Sequence, residues 1–420
     1  MKRWIGAVLA ACLLALSAVP AAAQGSGLRL TAQQAGARRE YGVYVTLDPA
    51  SARAKDYSYE LLEGGSVIAS REHVADTACF LPIVNIDAAS PGRCTVRVTA
   101  YPSGERAGFE RAASIQKEFG TAKGCSCVTA DRFQLGSGTE GDPYLVGTLG
   151  QLLHVNQHAT QKCYYMQTAD IQFGDYTSMV DDYGVVKLHS GSTYDGNGHV
   201  IRGGSVKVTR TGDNAEVFSL KNGNLLNTGF EDMTFSVNSS GYGAAPVGGH
   251  SGTVKRCYAI NINAVGRNHA GGLINCWGIG AEDCYTAGIK ASSTSDSTYG
   301  SGGLIGYLGS PGAVSPTVAR TYAFPAKLSA PKISGIGYIR AGSILNSFYL
   351  KGTASYGSLP GNDNTNAAPL ELSQFADQSR FEAAGWDFEN VWTMGEITYN
   401  DASGNAVTAA APVLRVFAKR

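Results

Sequence analysis

Apolar and polar residues alternate in short runs along this chain. Tyr41-Gly42-Val43-Tyr44-Val45-Thr46-Leu47, Tyr57-Ser58-Tyr59-Glu60-Leu61 and Cys94-Thr95-Val96-Arg97-Val98-Thr99-Ala100-Tyr101 all show a period near two. That period puts successive side chains on opposite faces of an extended strand. Turn formers such as Gly64-Gly65 and Pro91-Gly92 separate the runs. About a hundred residues of short strands, 25–123, predict a small β-sandwich.

Farther along, the pattern becomes a repeat. Val254-Lys255-Arg256-Cys257-Tyr258-Ala259-Ile260 aligns with Ala281-Glu282-Asp283-Cys284-Tyr285-Thr286-Ala287. Val318-Ala319-Arg320-Thr321-Tyr322-Ala323-Phe324 and Ile344-Leu345-Asn346-Ser347-Phe348-Tyr349-Leu350 continue the series. The aromatics Tyr258, Tyr285, Tyr322 and Phe348 recur after 27, 37 and 26 residues, and a fainter copy centres on Phe230. In an unbroken strand the first, fifth and seventh positions share a face, so the four aromatics are expected inside as a stacked ladder. A repeat too short to close its own core predicts a solenoid. The expected fold is therefore all-β. An N-terminal β-sandwich is followed by a right-handed parallel β-helix over 128–364 and a C-terminal capping segment over 365–420. Leu149 to Val155 shows helical spacing and predicts a short capping helix.

Several motifs in order carry a resemblance. They are Gly136-Ser137-Gly138-Thr139 with Pro143-Tyr144-Leu145, then Tyr165 with Asp170-Ile171, then Tyr194-Asp195-Gly196-Asn197-Gly198-His199 with Ile201. Gly271-Gly272-Leu273-Ile274 and Gly302-Gly303-Leu304-Ile305-Gly306 follow, with Gly385-Trp386-Asp387-Phe388 and Val391-Trp392 near the end. Together they resemble GLUG-motif repeat proteins over about residues 130–416. The chain departs from that pattern at Asn275, where the closing glycine would stand. The resemblance implies a secreted or surface-exposed bacterial β-solenoid, often joined to adhesion modules, and no catalytic residues. The segment around Val96–Tyr101 loosely resembles bacterial immunoglobulin-like modules.

Lys2 and Arg3, an apolar run to Leu16, and Ala21-Ala22-Ala23 read as a signal peptide over 1–23. Leu9-Ala10-Ala11-Cys12 is the rival reading, a lipid-anchor site. Export places the mature chain outside the cell or on its surface. No second stretch is long and apolar enough to span a membrane. Lys+Arg 34 against Asp+Glu 34 excludes the basic surface of a nucleic-acid binder. Glycine at 53 of 420 residues, roughly twice the usual share, fits a turn-dense β protein.

An exported chain can hold disulfides. Cys257 and Cys284 occupy the same place in consecutive repeats. Alternation would turn them outward, and stacking would set their Cα atoms about 4.8 Å apart, within disulfide reach. A bridge between them is expected, and another between Cys79 and Cys94. Cys125-x-Cys127 reads as a junction, and no His/Cys grouping is read as a zinc set.

No constellation reads as catalytic. Asp181 and Asp182 are adjacent and would point apart in a strand. His250 stands without a partner motif. Asp195-Gly196-Asn197-Gly198 reads as a tight turn in preference to a calcium loop. No cofactor or metal is expected. The expected function is a non-catalytic secreted or surface protein that binds a host or matrix glycan or protein. The alternatives are a polysaccharide-active β-helix enzyme or a structural stalk component.

Overall fold

The computed structural model describes residues 30–418, apart from 38–39, 49–53, 64, 83–92, 102–110, 119–123, 179–183, 210–211, 239–240, 276, 295–299, 310–315, 355 and 360–364. The expected signal peptide, Cys12 and the Asp181-Asp182 pair lie outside the described residues. The chain forms two units.

In the first unit, β1 (Leu30–Ala37) and β5 (Ala78–Pro82) flank β2 (Glu40–Leu47) in an antiparallel sheet. A second antiparallel sheet runs β4 (Ser66–Val74), β3 (Asp56–Glu63), β6 (Arg93–Tyr101), β7 (Arg111–Glu118). One core draws on both sheets: Val43, Val45 and Leu47 from β2; Tyr57, Tyr59 and Leu61 from β3; Val96, Val98 and Ala100 from β6. Each trio is spaced by two, so the alternating pattern is what closes this sandwich. Cys79 is partly buried beside that core. The Cys94 side chain lies outside the described residues, so the Cys79–Cys94 bridge does as well.

The second unit is a parallel β-solenoid of about six turns, in which each strand pairs with its counterpart one coil on. The short capping helix is present as α1 (Leu149–His154), and the Thr148 side chain caps it by accepting from the Gln151 N–H. The repeat alignment holds residue by residue: Tyr258 pairs with Tyr285, Tyr285 with Tyr322, and Tyr322 with Phe348. The fainter copy is displaced by one, since Tyr258 pairs with Gly229 and Phe230 with Ala259. Thr365–Leu370 pairs with Ser343–Leu350, so the last coil runs past residue 364 and takes in the first strand of the expected cap.

The orientation of the ladder differs from expectation, and the cause is local. Arg256, Asp283, Arg320 and Asn346 all have φ between 49° and 54°. A left-handed residue bends the chain and breaks the period-two alternation. Inward positions therefore run Val254, Cys257, Ala259, and after a second left-handed corner at Asn261, Ile262 and Ala264; all are 0–1% exposed. The next coil repeats this with Ala281, Cys284, Thr286, Ile289 and Ala291. Thr286 Oγ1 donates to the Gly303 carbonyl across the coil at 2.9 Å, which fixes its face as internal.

Tyr258, Tyr285, Tyr322 and Phe348 consequently point outward. They are buried all the same, because the C-terminal segment folds back along the side of the solenoid and covers them. This cover comprises Leu372–Ala376, Gln378–Ala383 and the hairpin Trp392–Asn400/Ala406–Leu414. Phe417 packs edge-on against Tyr258 at 4.6 Å, and Phe381 packs edge-on against Phe348 at 5.2 Å. Trp392 Nε1 donates to Asp283 Oδ1 at 3.1 Å, Tyr322 Oη to the Pro412 carbonyl at 2.6 Å, and the Asn400 N–H to Asn261 Oδ1 at 2.8 Å. The expected terminal cap is thus a lateral cover spanning four coils.

The glycine pairs line another wall of the coil, where Gly271 pairs with Gly302 and Ile274 with Ile305. Leu273 and Leu304 beside them are fully buried. A Cβ on Gly303 would sit 2.2 Å from the Gly335 carbonyl oxygen and 2.9 Å from Ala323 Cβ. One on Gly272 would sit 2.1 Å from the Gly303 carbonyl oxygen. Backbones approach too closely there for any side chain. At Gly306 a Cβ would meet Ala270 and the Asn275 carbonyl at 2.8 Å.

Candidate functional site

The chemistry-bearing residues collect in three places, one of which the sequence reading passed over. At the lead-in to the first coil, α1 continues into a 3-10 turn, Val155–His158, and places His154 and His158 side by side. Their ring centroids are 5.5 Å apart. Phe133 packs edge-on against His154 at 4.9 Å and lies 5.4 Å from His158. Both imidazoles are over nine-tenths buried. Burial lowers both pKa values; nearby Asp131 opposes this at His154, and His154 adds to it at His158. Thr129 Oγ1 is 3.2 Å from His154 Nδ1. The i, i+4 spacing of the histidines on a helical pattern was the signal available.

The second place is a buried carboxyl. Glu216 is fully buried and accepts from Asn275 Nδ2 at 2.6 Å. These residues sit two coils apart, and the residue between them is Gly248, whose Cβ would lie 1.6 Å from Glu216 Oε2. Asn275, the departure from the closing glycine, thus fills space that Gly248 leaves open. Burial pushes the Glu216 carboxyl up to about 8, against the opposing Asn275 hydrogen bond. Burial thus favours the protonated, uncharged form of this carboxyl.

The third place is an outer wall that the C-terminal cover leaves exposed. Stacked outward positions run Asp175, Ser205, Thr234, Asn263, Lys290, Lys327, and beside them Thr177, Lys207, Ser236, Val265, Ser292, Ser329. All are solvent-accessible. Hydroxyls, an amide and ammonium groups predominate there, beside one carboxylate, Asp175, and one apolar residue, Val265, at the spacing of neighbouring strands, about 4.8 Å.

The remaining expected sites resolve individually. Cys257 and Cys284 are internal, contrary to the outward expectation, and the structure holds both as thiols. Each lies 3.3 Å from the carbonyl two residues before it, Lys255 and Glu282 respectively. Burial pushes the Cys257 thiol up to about 12. Asp195 Oδ1 accepts from the Asn197 N–H and from Asn227 Nδ2, both at 2.8 Å. With Asn197 at φ 51°, that motif is a coil corner. His250 is exposed beside Trp277, with ring centroids 5.9 Å apart. An open depression of about 550 Å³ near Phe348 is lined by a single carboxylate, Asp377. Among the described residues no helix is long and apolar enough to cross a membrane. Comparison with protein-family models and with curated proteins returned no match.

Proposed function

We propose that this is an exported, non-catalytic surface or secreted protein of the GLUG-repeat kind, which binds an extended host or matrix glycan or protein along its solenoid. The observation that carries this reading is the exposed wall of stacked polar residues. It presents two parallel columns over six strands, and so offers a linear ligand a periodic series of hydrogen-bond partners. Lys207, Lys290 and Lys327 give the wall local positive charge on a chain of zero formal charge, which favours ligands bearing carboxylates or sulfates. The leader-like N-terminus supports export. Asp175 in the wall accepts from Ser205 Oγ at 2.8 Å, while Asp170 and Glu231 pair with Arg202 across adjacent coils.

The test is a binding screen of the mature protein against glycan and matrix-protein arrays at low and physiological salt. The expected result is salt-sensitive retention of an anionic polymer, reduced at least tenfold by the Lys290→Glu/Lys327→Glu double variant. Equal binding by that variant would move the ligand surface elsewhere. Release of reducing ends or unsaturated sugars from a bound polysaccharide would replace this reading with the enzyme alternative.

A further inference from the structure

We propose that Trp277 is the platform of a binding site for an acidic sugar ring, a uronate or sulfated pyranose, on one exposed edge of the solenoid. This site rests on the glycan reading above, names the sugar class, and stands apart from the polar wall. Between Trp277 and Lys290 of that wall the chain turns two left-handed corners, at Asp283 and Gly288.

Stacking assembles the edge. Lys221 pairs with Ser251, and Ser251 with Gly278. The Gly309 N–H donates to the Trp277 carbonyl at 2.9 Å, and the Arg340 N–H to the Leu308 carbonyl at 2.8 Å. Successive coils thus bring Lys221, His250, Trp277, Gly309 and Arg340 to one corner, about 4.8 Å per step. Lys221, His250 and Arg340 are exposed and Trp277 is half-buried. No carboxylate stands among these five.

The backbone does not ask for tryptophan here. Trp277 holds φ at 72°, where a bulky side chain meets a steric cost. Other coils fill that conformation on this edge with tolerant residues: Gly191 at 76°, Asn222 at 62° and Gly309 at 86°. The Gly191 N–H donates to the Asn222 carbonyl as Gly309 does to Trp277, so the positions correspond. Such strain persists where surrounding structure holds it, and it gathers at ligand sites. The support is visible. Trp277 meets buried Tyr307 edge-to-face at 6.1 Å and 88°, and Tyr307 stacks on Tyr338 at 5.8 Å and 17°. His250 lies beside the indole at 5.9 Å. The platform is therefore held in one orientation before any ligand arrives.

The chemistry selects the occupant. An indole face is electron-rich and attracts the positively polarised C–H face of a pyranose. Lys221 and Arg340 stand two coil steps to either side, about 10 Å along the backbone, so their long side chains can meet carboxylates or sulfates on that ring or its neighbours.

The experiment uses the full mature chain with three probes: hexagalacturonate, a heparin hexasaccharide and neutral maltohexaose. Trp386 and Trp392 are 3% and 0% exposed, and Trp4 lies in the expected leader, so acrylamide quenching reads Trp277. At least one acidic hexasaccharide should protect Trp277 saturably, at a concentration at least tenfold below that needed with maltohexaose. Protection by hexagalacturonate assigns a carboxylate, and protection by the heparin fragment alone assigns sulfate. By calorimetry, Trp277→Asn, which suits the left-handed backbone as Asn222 does, should lose at least tenfold in affinity while its melting temperature does not fall. Trp277→Phe, which keeps a ring, should retain most of the affinity. The Lys290→Glu/Lys327→Glu variant of the polar wall should keep full protection, so the wall can fail as a binding surface while this site stands. The proposal is overturned if neither acidic hexasaccharide at millimolar concentration protects Trp277, if maltohexaose protects it equally, if the wall variant abolishes the protection, or if Trp277→Asn binds as tightly as wild type.

Discussion

The ring of Tyr285 lies on that of Tyr258 with centroids 5.1 Å apart and planes 8° from parallel, and both rings face away from the coil interior. Tyr322 continues the stack on the other side of Tyr285 at 5.2 Å and 7°. Two features meet at this ladder: in-register stacking sets the spacing, and the C-terminal cover supplies the dry side. Tyr285 touches Trp392 of the cover at 6.3 Å between centroids, so the ring is packed on three sides.

Tyr285→Ala is therefore expected to destabilise the protein by about 3–5 kcal/mol, the range for emptying a buried aromatic site. Chemical denaturation of the variant measures it. Truncation after residue 370 should expose the whole ladder and produce strong binding of a hydrophobic dye without loss of the parallel strands. An unaltered dye signal in the truncated chain would put the aromatics elsewhere.

Stability should fall with rising pH through Glu216. Its folded-state carboxyl, held up to about 8, is protonated where the unfolded carboxyl, near 4.5, has already ionised. The contribution is complete below about pH 4.5, declines between there and about pH 8, and is level beyond, by up to about 5 kcal/mol in order of magnitude. His269 acts with the opposite sign. Burial lowers it to about 4, so its contribution is complete above about 6.5 and is lost as the pH falls toward 4. Melting temperatures of wild type and Glu216→Gln across pH 5–9 check this. The variant's curve should be flatter between about pH 5 and 8, because the neutral amide has no proton to lose.

Cys257 and Cys284 should be silent toward thiol reagents in the native protein and react only on unfolding. Both are fully buried with raised pKa values, so neither access nor thiolate is available. Mass spectrometry after native alkylation tests this. A linked Cys257–Cys284 peptide would show that the internal thiols oxidise.

Gly303→Ala should be costly, since the new methyl group meets a carbonyl at 2.2 Å. Gly141→Ala, where nothing lies within 4 Å, serves as the neutral control. Comparable melting temperatures for the two variants would refute the close approach of coils at the glycine wall.

The fold class and the coil register were legible because each coil repeats the same strand and apolar residues return at nearly fixed intervals. Which way Tyr258 points was not legible from period-two logic. Arg256 holds a left-handed conformation that the residue type does not advertise, and one such residue inverts the parity of all that follows until the next corner at Asn261. Asn227, Asp232, Asn261 and Asp283, which also tolerate this region, were the available hint. Cys257 went outward in the sequence reading for the same reason. The His154/His158 pair was missed because only α1 and the 3-10 turn after it set the two rings side by side. The wall running from Asp175 to Lys327 is polar in sequence without a motif, and only stacking makes a surface of it.

Arrays of repeats ordinarily unravel piecemeal, because each unit leans only on the one before and the one after. The segment that crosses Tyr258, Tyr285, Tyr322 and Phe348 abolishes that freedom for the coils it touches, since none can melt without stripping aromatic contacts from a strap shared with the other three. The coils under the strap become a single cooperative block. Amide exchange in this protein would divide by coverage and not by distance from the chain ends.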